Sequence, residues 1–320
     1  MIEPSIEKFP RYRKFDIHML VDFIELRCLV NPDKSMVTSD LKEIFTPEDE
    51  EVDQSFSEED EDSQDDMVAP QDVNELFLAD LFRHMQSRQL HYGKSYPFEV
   101  TEGQIALKSS MTDVQIAYMY LLLCSHLKYV ANKHQAQLTS EFEFVSAKCL
   151  DSHVVPNHEL HIFGKNSKVP SVRYVGNALR RLELLAEDLG GNLIAGSEDF
   201  PKTSSGDSGI DIVGWLNQWD QVKNQLVLVG QCKCSPRWMK EKDARTRLHE
   251  VMSLNDEVAN FFLIPFHFRR ATNEWHQIPP TRRKCLIDRE RFIKSFPLEE
   301  FKTCKSFALV KKYIASRIAA

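Results

Sequence analysis

Residues 206–235, "GDSGIDIVGWLNQWDQVKNQLVLVGQCKCS", decide the fold of this chain. Two runs with alternating apolar side chains, "IDIVGWL" and "QLVLVGQCKC", are joined by the polar stretch "NQWDQVKN". This pattern predicts two antiparallel strands joined as a hairpin. Because side chains alternate across a strand, Gln231 and Lys233 share one face of the second strand. A strand that only filled a core would not need an amide and an ammonium at its end.

The hairpin also brings a carboxylate to this end of the strand pair. Asp211 lies near the start of the first strand, so antiparallel pairing places it beside the end of the second. Asp211, Gln231 and Lys233 can then bind a divalent cation through oxygen atoms, with Lys233 near the attacking water or the scissile phosphate. The alternative is an ordinary ion pair at a strand end, with Gln231 satisfying backbone groups.

Two further carboxylates are candidates for the same metal site. The stretch "SVRYVGNALRRLELLAEDLGG" has its apolar residues on one face at helical spacing and ends in two glycines, which predicts an amphipathic helix followed by the short strand "GNLIAG". Glu183 borders the apolar face of that helix, so it either completes the metal site or is a surface charge. Asp207 is either a second metal or water ligand or a turn residue beside Gly206 and Gly209.

These motifs resemble the PD-(D/E)xK restriction-endonuclease-like superfamily, in the variant of Mrr-type and related bacterial defence nucleases that carries D then Q-x-K. "GDSGIDIVG" matches the aspartate strand and "GQCKC" the Q-x-K strand, which puts Asp211, Gln231 and Lys233 at the catalytic positions. The helix at 173–189 matches the first helix of the family, and "KCLIDRERFIKSF" resembles its closing strand and helix. The resemblance covers roughly residues 156–300. It implies a mixed central sheet flanked by helices and Mg²⁺- or Mn²⁺-dependent hydrolysis of DNA phosphodiester bonds by the effector of an anti-phage defence or restriction system.

The domain organisation follows from these patterns. We expect an α/β protein with a restriction-endonuclease-like domain at 156–320, preceded by a mainly α-helical region at 1–150. An acidic, disordered loop at 47–70 interrupts that first region, because a block of like charge with few large apolar residues cannot form a core. We expect the helical region to serve assembly, regulation or docking to a sensor or ATPase subunit, and a homo-oligomer is possible.

Charge is distributed unevenly along the 320 residues. The net charge is −8, but residues 48–66 hold twelve acidic residues and no basic one, so the rest of the chain is positive by four. From Cys234 onward, 18 lysines and arginines outnumber 10 aspartates and glutamates, with clusters such as Arg269-Arg270. We therefore expect DNA as a partner, contacted through phosphates, although a solvated basic face explains the same counts.

Other features of the sequence exclude some classes of protein. The charged N-terminus is unlike a signal peptide, and "IAYMYLLLCSHLKYV" is too short and too polar to cross a membrane. Seven cysteines without framework spacing predict a cytoplasmic protein without disulfides.

Alternative interpretations stay open at this stage. A zinc site formed by His153, His158 and His161 is possible but poorly spaced, and Cys232 and Cys234 are typical of core filling. A non-catalytic nucleic-acid-binding or scaffold subunit and an RNA-directed nuclease are the alternative functions.

Overall fold

The structure is a computed structural model. It describes residues 2, 4–6, 9–10, 16–45, 52–53, 74–153, 157–164, 173–194, 209–216, 226–255, 257–277 and 282–319. The chain forms two compact units, each built from more than one stretch. The first comprises Met1–Gln135, Phe266–Gln277 and Lys302–Ala320, and the second comprises Ala136–Pro265 and Ile278–Phe301.

The described residues contain helices and strands in nearly equal number. The helices are α1 (Ile17–Val30), α2 (Thr38–Phe45), α3 (Glu75–Tyr92), α4 (Asp113–Ser125), α5 (Asn132–Asp151), α6 (Ala178–Leu189), α7 (Ala244–Val251), α8 (Arg289–Lys294), α9 (Leu298–Lys302) and α10 (Lys305–Ala319). The strands are β1 (Phe9–Pro10), β2 (Ser35–Val37), β3 (Val52–Asp53), β4 (Phe98–Thr101), β5 (Gln104–Leu107), β6 (His158–Ile162), β7 (Asn192–Leu193), β8 (Ile212–Leu216), β9 (Val227–Cys232), β10 (Met252–Ser253), β11 (Val258–Leu263) and β12 (Cys285–Ile287). Among these helices, none is long and apolar enough to cross a membrane.

The first unit combines helices with a small sheet. Helices α1 and α4 are buried along most of their length, and most of their residues are apolar. Strands β2, β5 and β4 form a three-stranded antiparallel sheet in that order. The helical spacing of the sequence did not indicate this sheet, because its strands are only three or four residues long.

A buried charge network joins α1 and α3 in this unit. The Arg88 guanidinium contacts the Asp22 carboxylate at 2.5 Å and the Glu25 carboxylate at 2.8 Å, and all three side chains are at most 1% exposed. The hydroxyls of Tyr96 and Tyr118 donate to the two oxygens of Glu25. Buried charges persist only when they are paired in this way, so the network fixes how these two helices pack.

The second unit is built on a mixed five-stranded sheet with the order β12-β11-β9-β8-β6. Strands β6, β8 and β9 are antiparallel neighbours, whereas β11 runs parallel to both β9 and β12. The predicted pairing of the two alternating runs is confirmed, with Ile212 opposite Gly230. The chain therefore has the expected mixed sheet with helices packed against it.

Helix α6 packs on one face of this sheet together with α7. Its apolar residues Leu182, Leu185 and Leu189 join Val213, Val229 and Leu248 in one buried cluster. The helix begins at Ala178 rather than at 173, because the Asn177 side chain accepts a hydrogen bond from the Arg180 N–H and caps it. It ends at Gly190, whose φ of 69° is left-handed, as the glycine pair predicted.

Candidate active site

Asp211 lies where the pairing of β8 with β9 ends. It is 7% exposed, and its N–H donates to the Gly230 carbonyl at 3.1 Å. Its carboxylate oxygen Oδ2 accepts a hydrogen bond of 2.7 Å from the Cys232 N–H. The side chain thus takes the place of a backbone carbonyl at the end of the ladder, which holds the carboxylate against the end of β9.

Gln231 is the most unusual polar residue of the second unit. Its side chain is 0% exposed, and neither the amide oxygen nor the amide nitrogen has a hydrogen-bond partner in the described structure. An unsatisfied buried amide costs about 1–3 kcal/mol of stability. Continuing the β8–β9 register by one residue places Gln231 opposite Asp211, so both side chains leave the sheet on the same face.

Lys233 lies on that face too, one step beyond the end of β9. Its backbone N–H donates to the Leu263 carbonyl at 3.0 Å, which extends the pairing with β11. Its ammonium contacts the Glu241 carboxylate at 2.7 Å, and both side chains are partly exposed, by 25% and 30%. Glu241 follows the 3₁₀ turn Pro236–Lys240 and was not identified from the sequence. The ion pair therefore fixes the position of the Lys233 ammonium.

Asn260 is a second buried amide on this face of the sheet. It pairs with Val229 in the β9–β11 register and therefore projects on the same side as Gln231. It is 5% exposed, and both of its amide atoms lack a hydrogen-bond partner within the described part of the chain. Neighbouring strands thus bury two unsatisfied amides on one face.

Basic side chains approach this end of the sheet from two directions. The Arg247 side chain of α7 packs so closely on Gly209, where φ is 70°, that a Cβ atom on Gly209 would overlap it. The Lys284 ammonium lies 4.9 Å from the ring centre of Phe262, the residue that pairs with Gln231. Partial burial lowers the pKa of Lys284, and the nearby Asp243 carboxylate opposes that shift. Both cations are candidates for phosphate contact.

Of the two additional metal ligands suggested by the sequence, the structure describes only Glu183. Glu183 forms an ion pair of 2.9 Å with Arg180 on α6, is 40% exposed, and contacts none of Asp211, Gln231 and Lys233. It borders the apolar face, but the preceding turn of the helix supplies its partner, as an i,i+3 pair does. Asp207 lies outside the described residues.

The donor set at the site fits a weakly bound hard cation. Asp211 supplies an anionic oxygen, and the unpartnered Gln231 amide supplies a neutral one. Mg²⁺ is commonly bound through one or two carboxylates with waters and substrate phosphates completing its coordination. A group of three histidine, cysteine, aspartate or glutamate ligands is not found here among the described residues. A cation held by these two residues would need waters or substrate phosphates to complete its coordination.

Among the described residues, the histidines of the alternative zinc site do not come together as one group. His153 contacts the Cys149 carbonyl, His158 the Asp151 carboxylate, and His161 the Glu159 carboxylate, so each histidine has a partner of its own. Burial raises the pKa of the Cys232 thiol, and this side chain leaves β9 on the face opposite to Gln231.

Of the basic cluster Arg269-Arg270, the first residue is structural. Arg269 is 9% exposed, donates to the Asn273 side chain and lies over the Trp275 ring. Arg270 is exposed and belongs to the first unit, as Arg269 does. No protein-family model, curated protein or solved structure matches the chain.

Proposed function

We propose that the second unit is a divalent-metal-dependent DNA endonuclease with Asp211, Gln231 and Lys233 as its catalytic residues. The observation that carries this proposal is the fully buried Gln231 amide, which has no hydrogen-bond partner among the described residues and lies beside Asp211. A chain that retains such a costly group is expected to use it to bind something. The resemblance of residues 206–235 to D…Q-x-K nucleases extends the proposal to the restriction-endonuclease-like fold.

The residues of the site have distinct tasks in this proposal. Asp211 and Gln231 would hold Mg²⁺ or Mn²⁺, which activates water and stabilises negative charge on a phosphate when bound. Hydrolysis joins the water oxygen to phosphorus and breaks one P–O ester bond, leaving a phosphomonoester and a hydroxyl. Lys233 stabilises the negative charge that develops on the phosphoryl oxygens. Glu241 positions the Lys233 ammonium through their ion pair.

The proposed biological setting rests on the same resemblance. We infer that the nuclease is the effector of a bacterial anti-phage defence or restriction system, with DNA bound through the basic residues near the site. The first unit would then serve assembly or docking to a sensor or ATPase subunit, and self-association of the chain is a further possibility to be measured. Whether RNA also serves as a substrate is a question for the same assay.

A non-catalytic nucleic-acid-binding subunit is the second candidate function. The observation that favours it is that two of the three polar residues of the site already have structural contacts. Asp211 caps the end of β9, and Lys233 is paired with Glu241. In this alternative the fold binds nucleic acid or another subunit without cleaving it.

Cleavage assays on Lys233→Ala and Asp211→Ala decide between these functions. Supercoiled plasmid, linear duplex, single-stranded DNA and RNA are incubated with Mg²⁺, with Mn²⁺ or with EDTA. We expect cleavage that EDTA abolishes, and a loss on the order of a hundredfold or more in Lys233→Ala, because a preorganised catalytic charge contributes about that much. Affinity for DNA should fall little in Lys233→Ala and not at all in Asp211→Ala, since the latter removes a negative charge.

Lys242→Ala is the matched control for Lys233→Ala. Lys242 is an exposed lysine of the same unit that pairs with Glu250 rather than with a site residue, so its loss should leave cleavage unchanged. Folding of each variant is checked by thermal unfolding. Wild-type cleavage rates in a folded Lys233→Ala would reject the site assignment, and a wild type that binds DNA but never cleaves would favour the non-catalytic subunit.

A further inference from the structure

Three metal-ligating side chains meet in the first unit, away from the candidate nuclease residues in sequence and fold unit. Asp16 precedes α1, His18 lies in its first turn, and His276 belongs to the stretch Phe266–Gln277. One ring nitrogen of each histidine and one carboxylate oxygen lie within 4.8 Å of one another. The His276 Nε2 atom is 3.6 Å from Asp16 Oδ1, and the two imidazole rings are 4.3 Å apart between centres.

The hydrogen bonding of the cluster is incomplete. His18 is 3% exposed, and its Nδ1 atom has no hydrogen-bond partner in the described part of the chain. The buried Nε2 atom of His276 lacks one as well. Asp16 stands at the N-cap of α1, yet its carboxylate does not accept the hydrogen bond that an N-cap aspartate usually makes. The two imidazole nitrogens that lack hydrogen-bond partners therefore belong to the same cluster as the Asp16 carboxylate.

The segment that carries His276 is held in place by its own contacts. Arg269 and Trp275 form a β-bridge, and the His276 N–H donates to the Phe268 carbonyl at 3.2 Å. The segment is also tied to α3, because the Tyr92 hydroxyl contacts the His267 ring at 2.9 Å and the Ser87 hydroxyl donates to the Ala271 carbonyl at 2.7 Å. These contacts therefore hold the backbone of His276 in place beside α1.

The ligand atoms of the cluster indicate which kind of metal ion would bind. Two imidazoles and one carboxylate suit zinc and similar first-row transition metals, whereas Mg²⁺ and Ca²⁺ prefer oxygen ligands alone. Phe268 packs edge-on against both imidazole rings, with ring centres 5.3 Å from His18 and 5.5 Å from His276.

We propose that Asp16, His18 and His276 form a binding site for a divalent transition-metal ion of the zinc type. The ion joins the start of α1 to the segment Phe266–Gln277, which reaches the first unit from a distant part of the sequence. Three protein ligands leave at least one coordination position for water or an added ligand. This site is independent of the proposed nuclease chemistry, which needs a hard cation bound by oxygen.

Metal binding to the full chain tests the proposal directly. The protein, without a polyhistidine tag and dialysed against chelator, is titrated with Zn²⁺ by calorimetry and with Co²⁺ by visible absorption. We expect one bound equivalent per chain, Co²⁺ bands typical of nitrogen and oxygen ligands, and a higher melting temperature with Zn²⁺, because ligand binding to the folded state stabilises it.

Two variants remove a ligand without disturbing the most buried ring. His276→Gln and Asp16→Asn should each weaken Zn²⁺ binding by about tenfold or more, since even partners outside the first coordination sphere affect metal affinity by 10–100-fold. His249→Gln, which changes an exposed histidine of the second unit, is the matched control and should bind Zn²⁺ as the wild type does. Asp211→Ala should also keep the site, which separates it from the proposed nuclease.

The outcomes distinguish the proposal from a packed histidine pair. No Zn²⁺ binding by the wild type, or equal binding by wild type, His276→Gln and Asp16→Asn, would overturn it. Circular dichroism confirms that each variant is folded. If His276→Gln unfolds, Asp16→Asn alone decides, because its side chain is 25% exposed and tolerates the change from carboxylate to amide.

Discussion

Two glutamines of this chain, Gln115 and Gln231, are buried and differ in their hydrogen bonding. Gln115 is 4% exposed, and its amide contacts Thr112 and the carbonyls of Lys94 and Tyr96. Gln231 is 0% exposed and has no such contacts among the described residues. Comparing the stabilities of variants at the two positions tests whether each buried amide stabilises the fold or is kept for function.

Replacing Gln231 by methionine should stabilise the protein. The apolar side chain has a similar shape and removes an unsatisfied amide, so the free energy of unfolding should rise by about 1–3 kcal/mol. The measurement is urea denaturation in EDTA, where no divalent ion contributes. Cleavage should be lost in the same variant, as expected for a residue whose cost to folding serves function.

Gln115→Met is the control, and it should change stability in the opposite direction. Here the substitution removes satisfied hydrogen bonds and half of the capping box of α4, so a loss of about 1–3 kcal/mol is expected. If Gln231→Met destabilises the protein as much as Gln115→Met does, the Gln231 amide has partners in solution and the main support for the nuclease proposal is lost.

At the level of single residues, the sequence predicted which side chains share one face at the end of the β8–β9 pair. Strand alternation was enough to place Asp211, Gln231 and Lys233 together, because they lie at the paired ends of one hairpin. Asn260 and Glu241 were not found. Asn260 is a single asparagine within "VANFFL", and only the β9–β11 register shows that it shares a face with Gln231. Glu241 contacts Lys233 because a 3₁₀ turn precedes it, and the sequence of that turn has no periodic pattern that would predict the contact.

At the level of elements, β8 packs closely against both of its neighbours. A Cβ atom on Gly214 would overlap the backbone carbonyl oxygen of Glu159 in β6. A Cβ atom on Gly230, on the same face of β9, would lie 3.2 Å from the Ile212 side chain. The backbone of a paired strand cannot move aside as a side chain can.

Gly214→Ala should therefore cost more stability than Gly230→Ala. We expect a loss of about 1–3 kcal/mol for the former, as for other overpacked sites, and a clearly smaller effect for the latter. Chemical denaturation of both variants measures the difference. Equal stabilities would mean that β6 is not held against β8 as the structure describes.

The elements that the sequence predicted are those with long patterns. The hairpin and α6 have runs of alternating or helically spaced residues, and both are present. The sheet of β2, β4 and β5 was missed because each strand is too short to show alternation and lies between helices. Hydrophobic periodicity predicts an element only where one face of that element is buried over several residues.

At the level of the whole molecule, the acidic run at 48–66 carries negative charge, whereas the rest of the chain has a net positive charge. If it competes with phosphates, deleting it should tighten nonspecific binding of duplex DNA at low salt, and the gain should shrink as salt rises. The deletion raises the net charge from −8 by the twelve acidic residues it removes. Binding is measured by fluorescence anisotropy between 50 and 200 mM salt, about the range over which phosphate contacts weaken.

A variant with the same run replaced by a neutral Gly/Ser segment of equal length is the control for chain length. It should bind DNA as the deletion does, because the effect comes from charge. Unchanged affinity of both variants at low salt would show that the run does not compete with DNA.

The discontinuous first unit has a consequence for synthesis on the ribosome. Helix α4 is almost wholly buried and packs against α10, which belongs to Lys302–Ala320. Every strand of the second unit's sheet has been translated by Ile287, before α10 exists. All strands of the second unit's sheet are therefore synthesised before the first unit is complete, unlike the N-terminal-first order that is usual for multidomain chains. Until α10 is made, the part of the α4 surface that α10 covers has no partner, and this interval is when a chaperone would be needed.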